Sequence, residues 1–488
     1  MKIKQLFKGL PVKIKGNSST SISGISTHSQ FISPGDLFIA RNGERFNGND
    51  FVIDAVQAGA AAALTDLYNP FLTDLTQVIA SKVGSLESIL ANRYYRFPSR
   101  SLFLVGITGT NGKTTIAHLS YHLFHNVDHP CGLIGTVEYR VGEQRLPAVR
   151  TTPDIVTNCK LLHKMVKLRT KMAMMEVSSH ALDQNRVEGL EFDAAIFTNL
   201  SQDHLDYHQT MERYGRSKEK LFFRLHPQGW AIVNRDDPYY QSIVQRCQGR
   251  VVTYGIKHRA EVFAEIMSMT TQGSSFVVHF QKRKFLVRSP LIGEFNIYNA
   301  LSVIALALLK GVKSEVIQKK MESFQGVSGR LEMVDNLRGI HLFVDYAHTE
   351  QGLRNVLVTL KQLYLGRLIT VFGCGGDRDS TKRAKMARVV ESFSDQVVVT
   401  SDNVRTEDVE SIVQDIIKGF RNRSLYSIEL DRKQAILKGI NMAKEGDVVL
   451  IAGRGHETFL DVGGNQIAFQ DRWVMSECVH LFYLTPLQ

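Results

Sequence analysis

The fold is decided by the stretch Val105-Gly106-Ile107-Thr108-Gly109-Thr110-Asn111-Gly112-Lys113-Thr114-Thr115, which joins an apolar strand to the start of a helix through a glycine-rich turn. Glycines in such a turn let backbone N–H groups converge on phosphate oxygens. The helix that follows adds the positive end of its dipole, while Lys113 adds a charge and Thr114 a metal-binding hydroxyl. The strict pattern G-x-x-x-x-G-K-[ST] is not met, because Ile107 stands where its first glycine belongs. The stretch predicts a nucleotide phosphate site over Gly109 to Thr115, and the alternative is a glycine-rich turn without a ligand.

The residues around this turn predict a doubly wound sheet. Leu102 to Ile107 is typical of a buried strand, and Ile116 to Phe124 is typical of a helix. Further buried strands alternate with helical stretches up to about residue 330, and they are predicted at Met172 to Val177, Ala194 to Thr198 and Trp230 to Asn234. This alternation indicates a mainly parallel, doubly wound, P-loop ATPase-like domain over residues 99–330.

Two further segments flank the central one. Residues 1–98 end at the turn-like Phe97-Pro98-Ser99-Arg100 and contain short helix and strand patterns, which predict a small N-terminal α/β domain. Residues 331–488 follow a hinge-like stretch at 326–330 and repeat the strand–helix alternation, which predicts a C-terminal Rossmann-like α/β domain. Its strands are expected at His341 to Asp345, Leu368 to Gly373, Gln396 to Thr400 and Val448 to Gly453. The predicted fold class is therefore α/β with three domains.

Composition excludes several classes of protein. The chain has 488 residues, of which 22% are charged and 43% hydrophobic, as in an ordinary globular protein. No uncharged apolar run approaches the ~20 residues of a membrane helix, and the N-terminus lacks the features of a secretory signal, so a cytoplasmic location without membrane insertion is predicted. The five cysteines are scattered, which indicates neither a disulfide framework nor a zinc site.

The net charge of +11 indicates anionic ligands. Lys and Arg are spread over the whole chain, with no arginine-rich arm and no basic run interleaved with aromatic residues. We therefore expect small polyanionic substrates rather than nucleic acid. The alternative is a basic surface that is merely solvated.

Acidic and imidazole groups follow several predicted strands, where open α/β sheets place their ligands. Glu176 ends one strand and is a natural Mg²⁺ ligand or water-orienting group, or alternatively a helix-capping acid. Thr198 to His208 places two Asp and two His after another strand, although such a cluster taken alone is more often a solvated loop. Lys218 taken alone would be an ordinary surface lysine.

Taken together, these motifs closely resemble those of the Mur ligase family, in the family's order and over nearly the whole chain. The motifs that carry the resemblance are the phosphate loop, Glu176 to His180, Asn199 to His208, Lys218, Gly293 to Ala300, Gly329-Arg330, Asp345 to Thr349 and Gly373 to Asp379. The resemblance implies an ATP-dependent acid–amino-acid ligase of peptidoglycan precursor synthesis. Its reaction would add meso-diaminopimelate to the D-Glu carboxylate of UDP-MurNAc-L-Ala-D-Glu through an acyl phosphate.

The resemblance also implies roles for individual residues. The catalytic set would be Lys113, Lys218, Glu176 and His204. ATP would contact Gly109, Thr110, Asn111, Gly112, Lys113, Thr114, Thr115, Asn296, Asn299, Arg330 and Asp345. Mg²⁺ would be held by Thr114, Glu176, His204 and Lys218, the last carrying a CO₂-derived carbamate. UDP-MurNAc-dipeptide would contact Ser29, Glu44, Arg45, Phe46, Thr151, Thr152, Ser178, Gln184 and Arg186. Diaminopimelate would contact Arg378, Asp402, Asn403, Arg405, Gly453 and Glu457.

The chain departs from the family pattern at three places. The usual Asp-Ser-Arg reads His28-Ser29-Gln30 here, and a Thr-Pro pair reads Thr349-Glu350. The Asp-Asn-Pro-Arg motif for meso-diaminopimelate reads Asp402-Asn403-Val404-Arg405, so the arginine is kept and the turn-setting proline is lost. The base that deprotonates the incoming amine is left open among His180, His204 and His348.

Other functions remain as alternatives. The same ligase could use L-lysine, or the chain could be a sister Mur ligase that adds a dipeptide or a ligase like folylpolyglutamate synthetase. From a different class, a basic P-loop ATPase acting on nucleic acid would need aromatic platforms that the sequence does not show. We expect small-molecule substrates, no nucleic acid and a monomer.

Overall fold

The computed structural model describes residues 1–43 and 46–484, with side chains through Val479. The chain divides into two compact units. The first unit contains Met1–Gly106, Phe124–Ala195 and Phe223–Gly229. The second unit contains Ile107–Leu123, Ile196–Phe222 and the chain from Trp230 onwards.

Strands and helices alternate along the described chain. The strands are β1 Lys13–Lys15, β2 Ile25–Ser26, β3 Leu37–Ile39, β4 Ala62–Thr65, β5 Thr76–Ile79, β6 Phe103–Thr108, β7 Cys131–Ile134, β8 Glu138–Val141, β9 Gln144–Pro147, β10 Met172–Glu176, β11 Phe192–Phe197, β12 Leu225–Asn234, β13 Arg250–Gly255, β14 Val262–Thr270, β15 Gly273–Phe280, β16 Arg283–Ser289, β17 Glu332–Val334, β18 His341–Asp345, β19 Leu368–Phe372, β20 Gln396–Val399, β21 Tyr426–Ile428, β22 Val448–Ala452, β23 Phe459–Val462 and β24 Asn465–Ala468. The α-helices are α1 Ile3–Leu6, α2 Val52–Gln57, α3 Val83–Tyr94, α4 Lys113–Phe124, α5 Ile155–Lys167, α6 Ser179–Asp183, α7 Leu205–His208, α8 Met211–Glu219, α9 Tyr240–Arg246, α10 Glu294–Leu309, α11 Ser314–Glu322, α12 Glu350–Leu363, α13 Arg383–Phe393, α14 Val409–Ile417, α15 Arg432–Met442 and α16 Asp471–Leu484.

The N-terminal part of the first unit contains a five-stranded sheet in the order β1-β5-β4-β3-β2. Strands β2 to β5 pair in parallel, whereas β1 pairs antiparallel with β5 at one edge. Phe38, Val52, Ala55, Ala63 and Leu75 form a small core between this sheet and α2. The predicted N-terminal α/β arrangement is confirmed, since this part of the chain contains both helices and a mainly parallel sheet.

The strands β6 to β16 follow along the chain, and boundaries between the two units fall within β6, β11 and β12. The first unit contains the strand order β6-β10-β7-β8-β9. The second contains the order β16-β15-β14-β13-β12-β11. Strands β7 and β10 are parallel, as are β12, β13 and β14. The hairpins β14–β15–β16 and β7–β8–β9 are antiparallel, so the predicted mainly parallel sheet is a mixed one with antiparallel edges.

A six-stranded sheet in the order β17-β18-β22-β19-β20-β21 forms the C-terminal part of the second unit. All its pairs are parallel except that of β17 with β18. Along β22, Val448 and Leu450 belong to one buried cluster, and Val449 and Ile451 belong to another. A strand buried on both faces needs continuous apolar residues, which explains why these strands could be recognised in the sequence. The four strands predicted here are confirmed within one residue at each end.

Among the residues that the structure describes, no helix combines the length and the apolar character needed to cross a bilayer.

Candidate active site

The glycine-rich turn after β6 has a backbone that only glycine adopts readily at two positions. Gly109 has a φ of 145° and Gly112 a φ of 91°. A Cβ atom at Gly109 would overlap the Thr198 hydroxyl, and one at Gly112 would overlap the amide oxygen of Asn299. Helix α4 begins at Lys113, immediately after the turn. The predicted strand, turn and helix are therefore confirmed, and they form a cradle of the kind that accepts phosphate at a helix N-terminus.

Lys113 and Thr114 lie at the start of α4. The Lys113 ammonium donates hydrogen bonds to the carbonyl oxygens of Gly109 and Thr110, both 2.8 Å away. The Thr114 hydroxyl accepts a hydrogen bond from Arg330 Nη2 at 2.9 Å. The structure thus brings the predicted loop residues and Arg330 together.

Lys218 is buried against the phosphate loop and is not at the surface, as it would be if it were an ordinary helix lysine. Its side chain is 1% exposed, its Nζ donates to the Gly109 carbonyl oxygen at 2.9 Å, and it lies 4.2 Å from the centre of the Tyr214 ring. Burial and the nearby charge of Lys113 lower the pKa of Lys218 well below its usual value. The Tyr214 hydroxyl lies 3.1 Å from Thr110 Oγ1 and so joins the same loop.

The loop after β11 supports the phosphate turn. The Asn199 carbonyl oxygen accepts from Thr110 N at 2.9 Å, and its side-chain oxygen accepts from Asn111 N at 3.0 Å. His204 has a left-handed backbone with a φ of 56°, and its side chain is partly exposed. Of the two Asp and two His predicted in this segment, Asp203 and His204 precede helix α7, and Asp206 and His208 lie on it.

Asp203 is a buried carboxylate in this loop. Its oxygens lie 3.1 Å from Lys382 Nζ, 3.3 Å from His204 Nε2 and 3.7 Å from His348 Nε2. Burial alone would raise the pKa of Asp203, but the charges of Lys382 and the two histidines outweigh it and hold that pKa well below the usual value. Asp203 is ionised at neutral pH as a result.

Asn296 and Asn299 lie in the first turns of α10 and are buried. Asn299 Nδ2 donates to Asn296 Oδ1 at 3.0 Å, and Asn296 Nδ2 donates to the Ile292 carbonyl oxygen at 2.9 Å. The Asn299 side chain also lies next to Gly112. The two asparagines therefore pack beside the phosphate loop.

Arg330 and Asp345 lie on the C-terminal side of the same unit. The Arg330 guanidinium stands 4.3 Å from the centre of the Tyr346 ring. Asp345 accepts hydrogen bonds from Leu331 N at 2.6 Å and from Ala347 N at 2.7 Å. Burial raises the pKa of Asp345, although Arg330 partly offsets the increase. Arg330 thus contacts Thr114 directly, and Asp345 binds the backbone of the neighbouring Leu331.

The first unit holds a separate cluster around Glu176, which is fully buried at the end of β10. Thr136 donates from its backbone N to Glu176 Oε1 at 2.8 Å and from its hydroxyl to Oε2 at 2.9 Å. Thr152 Oγ1 donates to the Glu176 backbone oxygen at 2.8 Å. The N-cap of the following helix α6 is Ser178, whose side chain accepts from Ala181 N, while the Glu176 carboxylate is bound by Thr136.

Several residues predicted to contact UDP-MurNAc-dipeptide lie beside Thr136 and Thr152, the two residues that bind Glu176. Ser178 N donates to Thr152 Oγ1 at 3.1 Å, and Arg186 Nη1 donates to the Thr152 carbonyl oxygen at 3.2 Å. Arg186 also holds the Gln184 side-chain oxygen at 2.6 Å through Nη2. Thr151 Oγ1 lies 3.1 Å from Thr136 Oγ1.

Four residues of the N-terminal part of the chain are also predicted to contact UDP-MurNAc-dipeptide, namely Ser29, Glu44, Arg45 and Phe46. Ser29 begins a short 3₁₀ helix, and Phe46 is 68% exposed with its ring 6.2 Å from that of Phe51. Glu44 and Arg45 lie outside the described residues.

The residues predicted to contact diaminopimelate form a cluster in the C-terminal part of the second unit. Arg405 Nη1 donates to the Gly376 carbonyl oxygen at 2.5 Å, and Asn403 Nδ2 donates to Glu457 Oε2 at 2.8 Å. Among the described residues, none accepts a hydrogen bond from Nε or Nη2 of Arg405. These two nitrogens can therefore meet a substrate carboxylate. Arg378 is exposed on the neighbouring loop.

Beneath this cluster lies Arg454, a fully buried arginine. Its Nη1 lies 2.8 Å from Asn403 Oδ1, 3.4 Å from Glu457 Oε2 and 3.7 Å from Asp402 Oδ1. Burial and the charge of Asp402 raise the pKa of Glu457. For Asp402 itself, burial is outweighed by Arg432 and Arg454, which lower its pKa. A Cβ at Gly453 would lie 2.7 Å from Asp402 Oδ2, so this position needs a residue without a side chain.

Several residues of these clusters were not predicted. Thr136, Tyr214, Lys382 and Arg454 all contact predicted residues, as described above. Arg454 stands between two glycines after a predicted strand, so its position carried a signal that could have been used. Thr136, Tyr214 and Lys382 carried none, because their contacts join segments that are far apart in the sequence.

The side chains predicted to bind Mg²⁺ can be compared with the ligands that this ion prefers. The part of the chain that the structure describes contains no group of three or more His, Cys, Asp or Glu side chains that could hold a metal ion. Mg²⁺ commonly keeps several waters and needs only one or two carboxylates besides its phosphates. The Thr114 hydroxyl of the second unit and the Glu176 carboxylate of the first are oxygen donors of the type that Mg²⁺ prefers, whereas the His204 imidazole is a ligand type more typical of transition metals.

Comparison with known proteins identifies the family of this chain. Three family descriptions match consecutive parts of the chain: "Mur ligase family, catalytic domain" over residues 21–87, "Mur ligase middle domain" over 107–307 and "Mur ligase, glutamate ligase domain" over 329–455. The UDP-N-acetylmuramoyl-L-alanyl-D-glutamate--2,6-diaminopimelate ligase of Chlamydia felis is 41% identical over 98% of this chain and 99% of that protein. The chain belongs to the Mur ligase family. The predicted resemblance is thereby confirmed.

Other members of the Mur ligase family give the same result. The Bacillus licheniformis protein of the same name is 39% identical over 95% of this chain and 96% of its own length. A solved structure of a ligase with that name is 28% identical and covers 99% of this chain and all of its own, with a TM-score of 0.66. MurF from Acinetobacter baumannii, at 20% identity and a TM-score of 0.74, covers 98% of both chains and shares the fold. The relatives are thus named as ligases of the predicted kind.

Proposed function

We propose that this Mur ligase adds meso-diaminopimelate to the D-Glu carboxylate of UDP-MurNAc-L-Ala-D-Glu and hydrolyses ATP to ADP and phosphate in doing so. The observation that carries the proposal is the cluster of Asn403, Arg405, Arg454 and Glu457, which offers a guanidinium and a carboxylate side by side. One end of diaminopimelate carries a carboxylate beside an ammonium, and this pair of groups is complementary to it. The names of the relatives support the same substrate.

The ATP phosphates would lie on the loop from Gly109 to Thr115. In this proposal Lys113 exchanges its hydrogen bonds to the loop carbonyls for bonds to phosphate oxygens, and Arg330 stays close through Thr114. Asn296, Asn299 and Asp345 would hold the rest of the nucleotide, as the resemblance implies. The backbone N–H groups at the start of α4 would bind phosphate oxygens without moving, which is how such turns work.

The proposed Mg²⁺ ligands are Thr114, Glu176, His204 and a carbamate on Lys218. When bound, Mg²⁺ would neutralise charge on the phosphates as the γ-phosphoryl group is transferred. The buried amine of Lys218 supports the carbamate, since a lowered pKa increases the neutral fraction of the lysine, and a neutral amine can add to CO₂ with loss of one proton. The resulting anion would lie near the Lys113 ammonium, which is favourable in a buried site.

The reaction would then run in two steps. The D-Glu carboxylate attacks the γ-phosphorus of ATP, the bond to the β,γ-bridging oxygen breaks and ADP leaves, so that an acyl phosphate forms while Lys113 stabilises charge on the oxygens involved. The amine of diaminopimelate attacks the acyl carbon, and phosphate leaves as the amide forms. The residues around Thr152 in the first unit would bind the dipeptide, namely Thr151, Thr152, Ser178, Gln184 and Arg186. Ser29, Glu44, Arg45 and Phe46 would contact the UDP end.

The amino-acid specificity would come from the far end of the substrate. Arg405, with Arg378 nearby, would bind the distal carboxylate, while Asp402, the Gly453 carbonyl and Glu457 would receive the ammonium beside it. With L-lysine in place of diaminopimelate, the charge of Arg405 would lose its partner, and losses of this kind can reduce selectivity by orders of magnitude.

We further propose three domains at residues 1–98, 99–330 and 331–488, a monomeric state, a cytoplasmic location and no nucleic-acid partner. The family descriptions over 21–87, 107–307 and 329–455 support a three-domain division.

Phosphate release tests the proposed function directly. Purified protein with ATP and UDP-MurNAc-L-Ala-D-Glu should release little phosphate until meso-diaminopimelate is added, and the new product should have the mass of the tripeptide precursor. Release that depends on L-lysine, on a dipeptide or on glutamate would favour one of the other ligase functions. Release stimulated by nucleic acid without any amino acid would contradict a ligase.

A further inference from the structure

The loop that carries Arg405 has an unfavourable backbone. Arg405 has a φ of 53°, and Asp377 in the neighbouring loop has a φ of 51°. A residue with a side chain adopts this left-handed region only when its surroundings impose it. Position 404 is valine where the family motif has proline, so no ring fixes the turn before Arg405. Other contacts must therefore hold this backbone.

The backbone of Arg405 is held by the hairpin β23–β24. Arg405 N donates to the Asp461 carbonyl oxygen at 3.1 Å, and Gly463 N donates to the Arg405 carbonyl oxygen at 2.7 Å. Both backbone groups of Arg405 are thus used in a bridge to one neighbouring strand end. This fixes where the Cα of Arg405 lies.

A second group of contacts joins the Arg405 loop to the loop of Asp377. The Thr406 hydroxyl lies 2.9 and 3.0 Å from the two Asp377 carboxylate oxygens and donates its one proton to this carboxylate, and Thr406 N donates to Oδ2 at 3.2 Å. Asp377 N in turn donates to Glu407 Oε2 at 3.0 Å. A Cβ at Gly376 would overlap the Val404 carbonyl oxygen, so the two loops are as close as backbone allows.

Arg383 lies under both loops and connects them. Its side chain is 1% exposed. Nη1 and Nη2 donate to the two carboxylate oxygens of Glu407, each at 2.6 Å, and Nη2 also lies 3.3 Å from the Gly375 carbonyl oxygen. A second carboxylate, Asp415 on α14, accepts from Nη1 at 3.1 Å. A two-pronged pair of this kind fixes direction as well as distance.

We propose that Arg383 is a positioning residue for Arg405. Its pair with Glu407, together with the Asp377–Thr406 hydrogen bonds, holds the guanidinium of Arg405 toward the far end of the amino-acid substrate at the point where the proline is lost. Arg383 itself does not touch the substrate. This inference rests on the proposed function, because it assigns Arg383 to the recognition of the distal carboxylate.

The role predicts a specific kinetic result. Loosening the loop should raise the KM for meso-diaminopimelate and leave the KM for ATP unchanged, because the phosphate loop lies elsewhere in the unit. It should also reduce the preference for meso-diaminopimelate over L-lysine, since lysine has no carboxylate for Arg405 to bind. A residue needed only for folding would lower the amount of active enzyme without moving either KM.

The test compares four variants with the wild type. Thr406→Val and Asp377→Asn alter exposed residues and should raise the KM for meso-diaminopimelate by about three- to tenfold. Arg383→Met should approach the selectivity of Arg405→Ala, and Arg383→Lys should recover part of it, because one ammonium replaces a two-pronged contact. Arg388→Met is the matched control. It removes an exposed arginine from the same helix, and both KM values should stay at wild-type values.

The outcomes separate this inference from the proposed function. If Arg405→Ala loses the preference for meso-diaminopimelate while Thr406→Val, Asp377→Asn and a folded Arg383→Met all keep it, the positioning role is wrong and the function stands. If Arg383→Met does not fold, the two exposed variants decide by themselves. If the wild type has no preference and Arg405→Ala changes nothing, the proposed specificity is wrong and this inference is overturned with it.

Discussion

Lys218 and Gly109 are joined by a buried hydrogen bond, from the lysine Nζ to the glycine carbonyl oxygen at 2.9 Å. The bond places an amine with a lowered pKa directly under the turn that would hold the ATP phosphates. A free ammonium here would lie close to that of Lys113, and like charges repel strongly where water is excluded. Conversion of Lys218 to a carbamate would remove this repulsion.

Lys218→Ala should therefore lose ligase activity by about 100-fold or more, because a group that stabilises the transferred phosphoryl charge is removed. The measurement is the initial rate of phosphate release at saturating substrates, with circular dichroism to show that the variant is folded. The wild type incubated with ¹³C-labelled bicarbonate should show one carbamate carbon signal that the variant lacks.

Lys220→Ala, two residues further along the same segment, is the control, and it should keep both the activity and the carbamate signal. Near-normal turnover in Lys218→Ala would show that the carbamate assignment is wrong.

The pH dependence of kcat/KM for meso-diaminopimelate should reveal the protonation of Glu457. Burial and the charge of Asp402 raise its pKa above the usual 4.5, so Glu457 takes up a proton at a higher pH than an ordinary carboxyl as the solution becomes acidic. Once protonated, it no longer attracts the substrate ammonium. We expect kcat/KM for meso-diaminopimelate to fall on the acid side with an apparent pKa above 4.5, while the KM for ATP stays constant.

Glu457→Gln supplies the comparison for this pH profile. It should reduce kcat/KM about tenfold at neutral pH and remove the acid limb, because the amide keeps the shape but does not titrate. An acid limb of the same midpoint in Glu457→Gln would assign the titration to another group.

Much of the fold was predictable because buried strands leave a continuous apolar pattern. Strands β18, β19, β20 and β22 were found within one residue at each end, since they are covered on both faces. Hairpins β14–β15–β16 and β7–β8–β9 were not predicted. Their strands alternate apolar and polar residues and contain charged positions, so the pattern is weaker, and their pairing depends on contacts that the sequence does not display.

The site was predictable where motifs are local and not where they depend on tertiary contacts. The cradle of Gly109 and Gly112 follows from spacing, because only glycine adopts the required backbone there. The burial of Lys218 could not be derived from its helix, which otherwise carries charged residues. The roles of Arg383 and Lys382 could not be predicted, because the carboxylates that bind them come from distant segments.

Removal of one partner from the buried pair of Arg432 and Asp471 should be strongly destabilising. Both side chains are 0% exposed, and the arginine Nε and Nη2 donate to the two carboxylate oxygens at 2.7 and 2.8 Å. Arg432→Met leaves Asp471 as an unpaired buried charge and should lower the free energy of unfolding by about 3–5 kcal/mol. Urea denaturation followed by circular dichroism measures the change.

Two further variants test the cause. Arg432→Met combined with Asp471→Leu should recover part of the loss, because no unpaired charge remains. Lys433→Met, which breaks the exposed pair of Lys433 with Glu477, should change the midpoint little. If Lys433→Met lowered the free energy of unfolding as much as Arg432→Met, burial of the ion pair would not be the cause of the destabilisation.

Nucleic acid should bind weakly despite the charge of +11. The basic residues are scattered, so a duplex can make only a few phosphate contacts, and the apparent affinity should fall steeply as salt is raised from 50 to 200 mM. Fluorescence anisotropy with a labelled 20-base-pair duplex measures this. A sequence-selective complex that survives physiological salt would contradict the assignment of the charge to UDP and ATP.

The measurement that tests the central claim most directly is a comparison of kcat/KM for meso-diaminopimelate and L-lysine, with UDP-MurNAc-L-Ala-D-Glu and ATP saturating, in the wild type and in Arg405→Ala. We predict that the wild type prefers meso-diaminopimelate by about 100-fold or more, and that Arg405→Ala loses most of that preference through a higher KM. Equal or better use of L-lysine by the wild type would contradict the proposed specificity. An unchanged preference in Arg405→Ala would show that Arg405 does not bind the distal carboxylate.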